Sequence, residues 1–112
     1  MMINFDLLNS YMDHDQQIIR AIFSAYMEDY SDGPERFNQL FSDEKWSDLF
    51  LLSHSIKSVL SSFGATTAVS TLINIEKFTR QDVAPLAADI TLITKELVNI
   101  NQQIEIYLSS NN

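Results

Sequence analysis

The chain has 112 residues, 46% of them hydrophobic, with no interdomain linker and no low-complexity tract, which is the size and apolar content of one folded domain over residues 1–112. It contains no cysteine, which excludes disulfides and thiolate metal sites, and only two glycines, Gly33 and Gly64, too few for a glycine-rich nucleotide cradle and so for ATP-dependent kinase activity. The formal net charge of −8 argues against a nucleic-acid ligand, and no apolar run approaches the ~18 residues that span a membrane.

The start, Met1-Met2-Ile3-Asn4-Phe5-Asp6, lacks the basic and apolar regions of a signal peptide, so a cytoplasmic setting is expected. Scarce glycine and proline with spaced apolar residues predict an all-α protein. Phe5, Leu7, Leu8 and Tyr11 predict a short N-terminal helix, and Asp13-His14-Asp15 a turn with a helix cap. His14 between two aspartates reads as loop and cap rather than as a metal ligand. Ile19, Ile22, Phe23, Tyr26 and Tyr30 form the next helical stripe, which resumes at Phe37, Leu40 and Phe41 across a kink or brief break at Gly33-Pro34. Ser42-Asp43 is expected to cap the helix that follows.

That helix is predicted from about Glu44 to Phe63. Leu49, Leu52, Ile56, Val59, Leu60 and Phe63 share one face, and Ser47, His54, Lys57, Ser58 and Ser61 the opposite one, flanked by Phe50 and Leu51. Gly64 suits a tight reversal at its end. Ala65, Ala68, Val69, Leu72 and Ile75 predict a further helix, ended by Thr79-Arg80-Gln81-Asp82. Pro85 suits the first turn of a long last helix with a seam of Leu86, Ile90, Ile93, Leu97, Ile100, Ile104 and Tyr107. Together these predict an antiparallel four-helix bundle with a short additional N-terminal helix.

His54 and Lys57 carry the chemistry. Residues three apart on a helix are surface neighbours, so imidazole and ammonium share a patch. An exposed neutral imidazole is a nucleophile, and an adjacent cation neutralises a phosphoryl group that reaches it. Ser58 and Ser61 lie on the same face and are candidate phosphate contacts. Arg80, near the end of the adjoining helix, is a further candidate for charge. With no nucleotide loop, any phosphoryl group must come from another protein or a small donor.

The run His54-Ser55-Ile56-Lys57-Ser58, then Phe63-Gly64-Ala65, then Leu72 and Ile75-Glu76, resembles the histidine phosphotransfer (HPt) domains of two-component phosphorelays. The family pattern is His-x-Leu-Lys-Gly, a hydrophobic residue followed by Gly-Ala, and a later apolar-acidic or apolar-amide pair. By helix order and spacing the likeness covers roughly residues 15–108. Ser58 stands where the family usually has glycine; this is similar to some free-standing relay proteins of bacterial quorum sensing.

The resemblance implies that His54 is the phosphoacceptor, taking a phosphoryl group from the aspartate of one response-regulator receiver domain and giving it to another. It implies a hybrid sensor histidine kinase upstream and Mg2+ in the receiver rather than in this chain, which itself needs no cofactor. It implies that Glu76, twenty-two positions on, faces His54, where a carboxylate would favour the Nδ1–H tautomer and leave Nε2 to attack. Phe50 and Leu51 become candidates for a receiver-docking patch. Such a protein is a phosphoryl carrier rather than an enzyme with its own turnover. A free-standing monomer is expected, from the initiating Met1 and a self-sufficient core. The alternative is a helical-bundle adaptor that binds a signalling partner without being phosphorylated. A metal-dependent bundle enzyme is disfavoured, because neither His14 nor His54 has glutamate three positions before it.

Overall fold

The computed structural model describes residues 3–110. Among them stand six helices: α1 Phe5–Tyr11, α2 Gln16–Tyr30, α3 Gly33–Ser42, α4 Trp46–Ser62, α5 Thr66–Thr79 and α6 Ala87–Ser110. None is long and apolar enough to cross a membrane.

Local chemistry sets most boundaries. Asn4 caps α1 by accepting from the Leu7 amide at 3.1 Å. Asp13 and His14 turn the chain with φ of 51° and 58°, and Asp15 caps α2 by accepting from the amides of Gln17 and Ile18. The break at Gly33-Pro34 is a true helix boundary, with Pro34 in the first turn of α3, where a missing N–H costs no bond.

Two boundaries differ from expectation. Ser42 and Asp43 do not cap α4; they close α3, with the Asp43 amide bonded to Gln39 O at 2.9 Å. The chain then turns through Glu44 at φ 54°, so α4 starts at Trp46 without a side-chain cap. Likewise Pro85 lies ahead of α6 rather than in its first turn. Leu86 only accepts the first helical bonds, from Asp89 and Ile90, so its side chain does not join the seam and stays 57% exposed.

The four rods are α2 with α3, then α4, α5 and α6. The α2–α3 rod runs antiparallel to α6: the Arg20 guanidinium donates to Leu108 O, the Asn101 amide donates to Ser31 O, and Gly33 sits against Leu97. The 24 residues of α6 span about 36 Å at 1.5 Å per residue, most of the 44 Å long axis of the molecule. α4 packs on α5, α5 on α6, and α3 on both α4 and α6. The α6 seam from Ile90 through Ile93, Leu97, Ile100 and Ile104 is buried, and so is the α4 face of Leu49, Leu52, Ile56 and Leu60. Full burial of each such side chain stabilises the fold by roughly 1.5–3 kcal/mol.

α1 seals one end. Phe5 stacks on Tyr107 and meets Phe23 edge-on, and Phe23 meets Phe63 the same way at 5.3 Å. The Asn4 amide bonds Phe63 O at 2.9 Å, which presses α1 against the α4–α5 turn. Gly64 in that turn has φ +67°, and a Cβ there would lie 2.7 Å from the Asn4 Cβ. Both the left-handed backbone and the close approach require glycine at this point.

Candidate phosphoryl-acceptor site

The reversal at Gly64 folds α5 back along α4. His54 and Glu76, twenty-two positions apart, lie equally far along the chain from Ala65 and therefore come level. On α4 the apolar stripe faces inward, and the opposite face carries His54, whose side chain is 59% exposed. On α5 the inward face carries Ala68, Leu72, Ile75 and also Glu76, only 2% exposed. A buried carboxylate is costly unless it is paired, and its partners define the site.

Three side chains converge on Glu76. The Lys57 ammonium lies 2.7 Å from Oε2, His54 Nδ1 3.3 Å from Oε1, and the Arg80 guanidinium 3.6 Å from Oε1. Arg80 stands one helical turn after Glu76, and Lys57 one turn after His54. With the imidazole neutral, one buried anion and two cations leave a local net charge of +1 in a chain of net −8. A carboxylate only accepts, so its contact with the ring calls for a proton on Nδ1, which leaves the lone pair on Nε2. That arrangement is a nucleophilic nitrogen beside positive charge.

The remaining candidates are placed differently. The Ser58 hydroxyl donates to His54 O at 3.2 Å and that of Ser61 to Lys57 O at 2.9 Å, so both bond back to their own helix. Leu51 is 60% exposed and borders a shallow groove between α3 and α4 with Tyr30, Leu40, Leu52 and Ser55. Phe50 is half-buried; its ring lies nearly parallel to that of His54, at 6.0 Å and 19°, and Arg80 stands over it at 5.6 Å. His14 is exposed in the α1–α2 turn, and among the described residues no group of three or more His, Asp or Glu is placed to hold a metal ion.

Sequence reasoning placed His54, Lys57 and Glu76 in one site but missed how they are joined. The sequence reads Lys57 as a cation for incoming phosphate; in the structure its ammonium also pairs with Glu76, and its side chain is 24% exposed. Sequence reasoning also missed Arg80 as a second cation on the same carboxylate, although the four-residue spacing from Glu76 on one helix was a readable signal.

Compared with models of known families, the chain matches the one described as Hpt domain over residues 7–105. Comparison with curated proteins and with solved structures gives no match.

Proposed function

The chain belongs to the Hpt domain family, and from that premise we propose that it carries a phosphoryl group on His54 from the aspartate of one receiver domain to that of another. A phosphotransfer role in two-component signalling follows from the family, whose members interact with receiver domains and kinases. The finer reading is supported above all by one observation: an exposed imidazole whose Nδ1 faces a buried, charge-paired carboxylate.

In the proposed step the Nε2 lone pair attacks the phosphorus of the aspartyl phosphate. The N–P bond forms, the P–O bond to the aspartate breaks, and the aspartate leaves as carboxylate. The Nδ1 proton stays on the ring, and Glu76 balances the positive charge that develops there. Lys57 and Arg80 offset the charge of the arriving phosphoryl oxygens. Onward transfer to a second receiver is the same step reversed. Magnesium belongs to the receiver's side of the complex. Leu51 and the groove beside it give the receiver an apolar contact next to His54. A hybrid sensor histidine kinase supplies the first receiver. One chain suffices for each transfer, so we take the working form to be a cytoplasmic monomer.

The test is incubation with a phosphorylated receiver domain. Acid-labile, alkali-stable phosphate should enter the protein and be lost in His54→Gln. Tight receiver binding with no phosphate incorporation would replace the carrier by a binding-only adaptor.

A further inference from the structure

The proposed acceptor and three side chains around it close into a ring. Glu76 Oε1 touches both His54 Nδ1, at 3.3 Å, and Arg80, at 3.6 Å. The Arg80 guanidinium carbon stands 5.6 Å from the centroid of the Phe50 ring. Phe50, one turn before His54 on α4, returns to it with ring planes only 19° apart. A single hydrogen bond at Nδ1 holds one edge of an imidazole and leaves its plane free to tilt. The Phe50 ring lies along one side of it, centroids 6.0 Å apart, where it can restrict that tilt.

We infer that Phe50 is a positioning residue for phosphoryl transfer: its ring sets the plane of the His54 imidazole, and Arg80 holds the Phe50 ring in place. With edge and plane both fixed, the Nε2 lone pair keeps one direction before any partner arrives, and transfer starts near its attack geometry. The inference rests on His54 being the acceptor and deepens that reading. It also separates two adjacent residues. Leu51 is turned to solvent and available to a partner, whereas Phe50 is half-buried against His54. A docking contact alone gives no reason for the parallel rings or for the guanidinium over Phe50.

Phosphoramidate separates positioning from docking, because it donates to imidazole without a protein surface. Nε2 bonds to phosphorus, the donor's P–N bond breaks, ammonia leaves with the protons it already carries, and the Nδ1 proton stays on the ring. Phe50→Leu is expected to slow this reaction about fivefold, and Phe50→Tyr to restore it to within about twofold. With a phosphorylated receiver, the rate at saturation should fall to the same extent while the half-saturating receiver concentration stays put. A wild-type phosphoramidate rate in Phe50→Leu, a loss seen only in the half-saturating concentration, or a Phe50→Tyr variant as slow as Phe50→Leu would each overturn the positioning role. Should Phe50→Leu not fold, couplings across the His54 Cβ–Cγ bond in the unsubstituted protein decide: one ring orientation supports the inference, and averaging between orientations overturns it. An unsubstituted protein that takes no phosphate on His54 overturns the carrier reading itself, a result distinct from Phe50→Leu matching a working parent.

Discussion

Replacing Lys57 with alanine tests how the buried carboxylate is balanced. At 2.7 Å the gross attraction between Lys57 and Glu76 is roughly 6 kcal/mol at an effective dielectric of about 20. Desolvation of both groups offsets most of it. Removing one partner of a fully buried pair costs about 3–5 kcal/mol. The loss here should be smaller, because Arg80 and His54 remain on Glu76 and Lys57 is itself 24% exposed. We expect Lys57→Ala to lose about 2 kcal/mol, near 8 °C in melting temperature for a chain of this length. Glu76→Gln leaves Lys57 free to regain water and should cost less, about 0.5–1 kcal/mol. In the Glu76→Gln background no stranded carboxylate remains, so Lys57→Ala should then cost only a few tenths, about 0.3 kcal/mol, and the coupling energy should be about 1.7 kcal/mol. Urea unfolding of the four proteins, followed by circular dichroism, measures the cycle. Equal cost of Lys57→Ala in both backgrounds would refute the argument that Glu76 depends on this ammonium. The phosphate uptake of folded Lys57→Ala should also be slower; an unchanged rate would remove the residue from the chemistry while leaving its structural role.

Tyr26 is buried, and among the described residues its hydroxyl has no hydrogen-bond partner. Burial, and secondarily the charge of Tyr30, hold this phenol protonated well above its ordinary range. An unfolded tyrosine loses its proton near ~10 while the folded one keeps it, so above that pH the unfolded state binds fewer protons and stability falls as pH climbs. Tyr26→Phe should be neutral or up to ~1 kcal/mol stabilising at pH 7, with a shallower alkaline decline. Urea titrations from pH 7 to about 11.5 check this, and an unchanged alkaline limb would count against it. Gly64→Ala forces an L-residue into a left-handed turn and a Cβ against α1, at a cost of about 2–3 kcal/mol. Its phosphate uptake per folded molecule should match the parent. A cost below ~1 kcal/mol would mean that α1 does not press on the turn as described.

The bundle was readable because its signal is periodic. The α6 seam repeats in steps of three and four from Ile90 to Ile104, and all five of its residues are buried. Gly64 was readable because a helix end next to an apolar run leaves few residues able to reverse the chain. The failures came where spacing says nothing about where a helix begins. Leu86 continues the numerical pattern of α6 but precedes its first turn. Asp43 has the chemistry of an N-cap but is used to end the helix before it. Ser53 is fully buried beside the exposed His54, an assignment that depends on the rotation of α4 against α5. The Lys57–Glu76 contact depends on the same rotation and joins two helices, so no pattern within either one contains it.

Every side chain credited with chemistry, from Phe50 to Arg80, sits on the single helical hairpin of α4, the Gly64 turn and α5 with its C-cap residue Arg80. None comes from α2, α3 or α6. The working parts therefore form a cassette, and the other rods act as its chassis. Substitutions that drift through the chassis can alter melting behaviour or partner preference while the geometry at His54 stays as it is. Transplanting the hairpin onto a different bundle of matching groove width should carry the reactive centre with it.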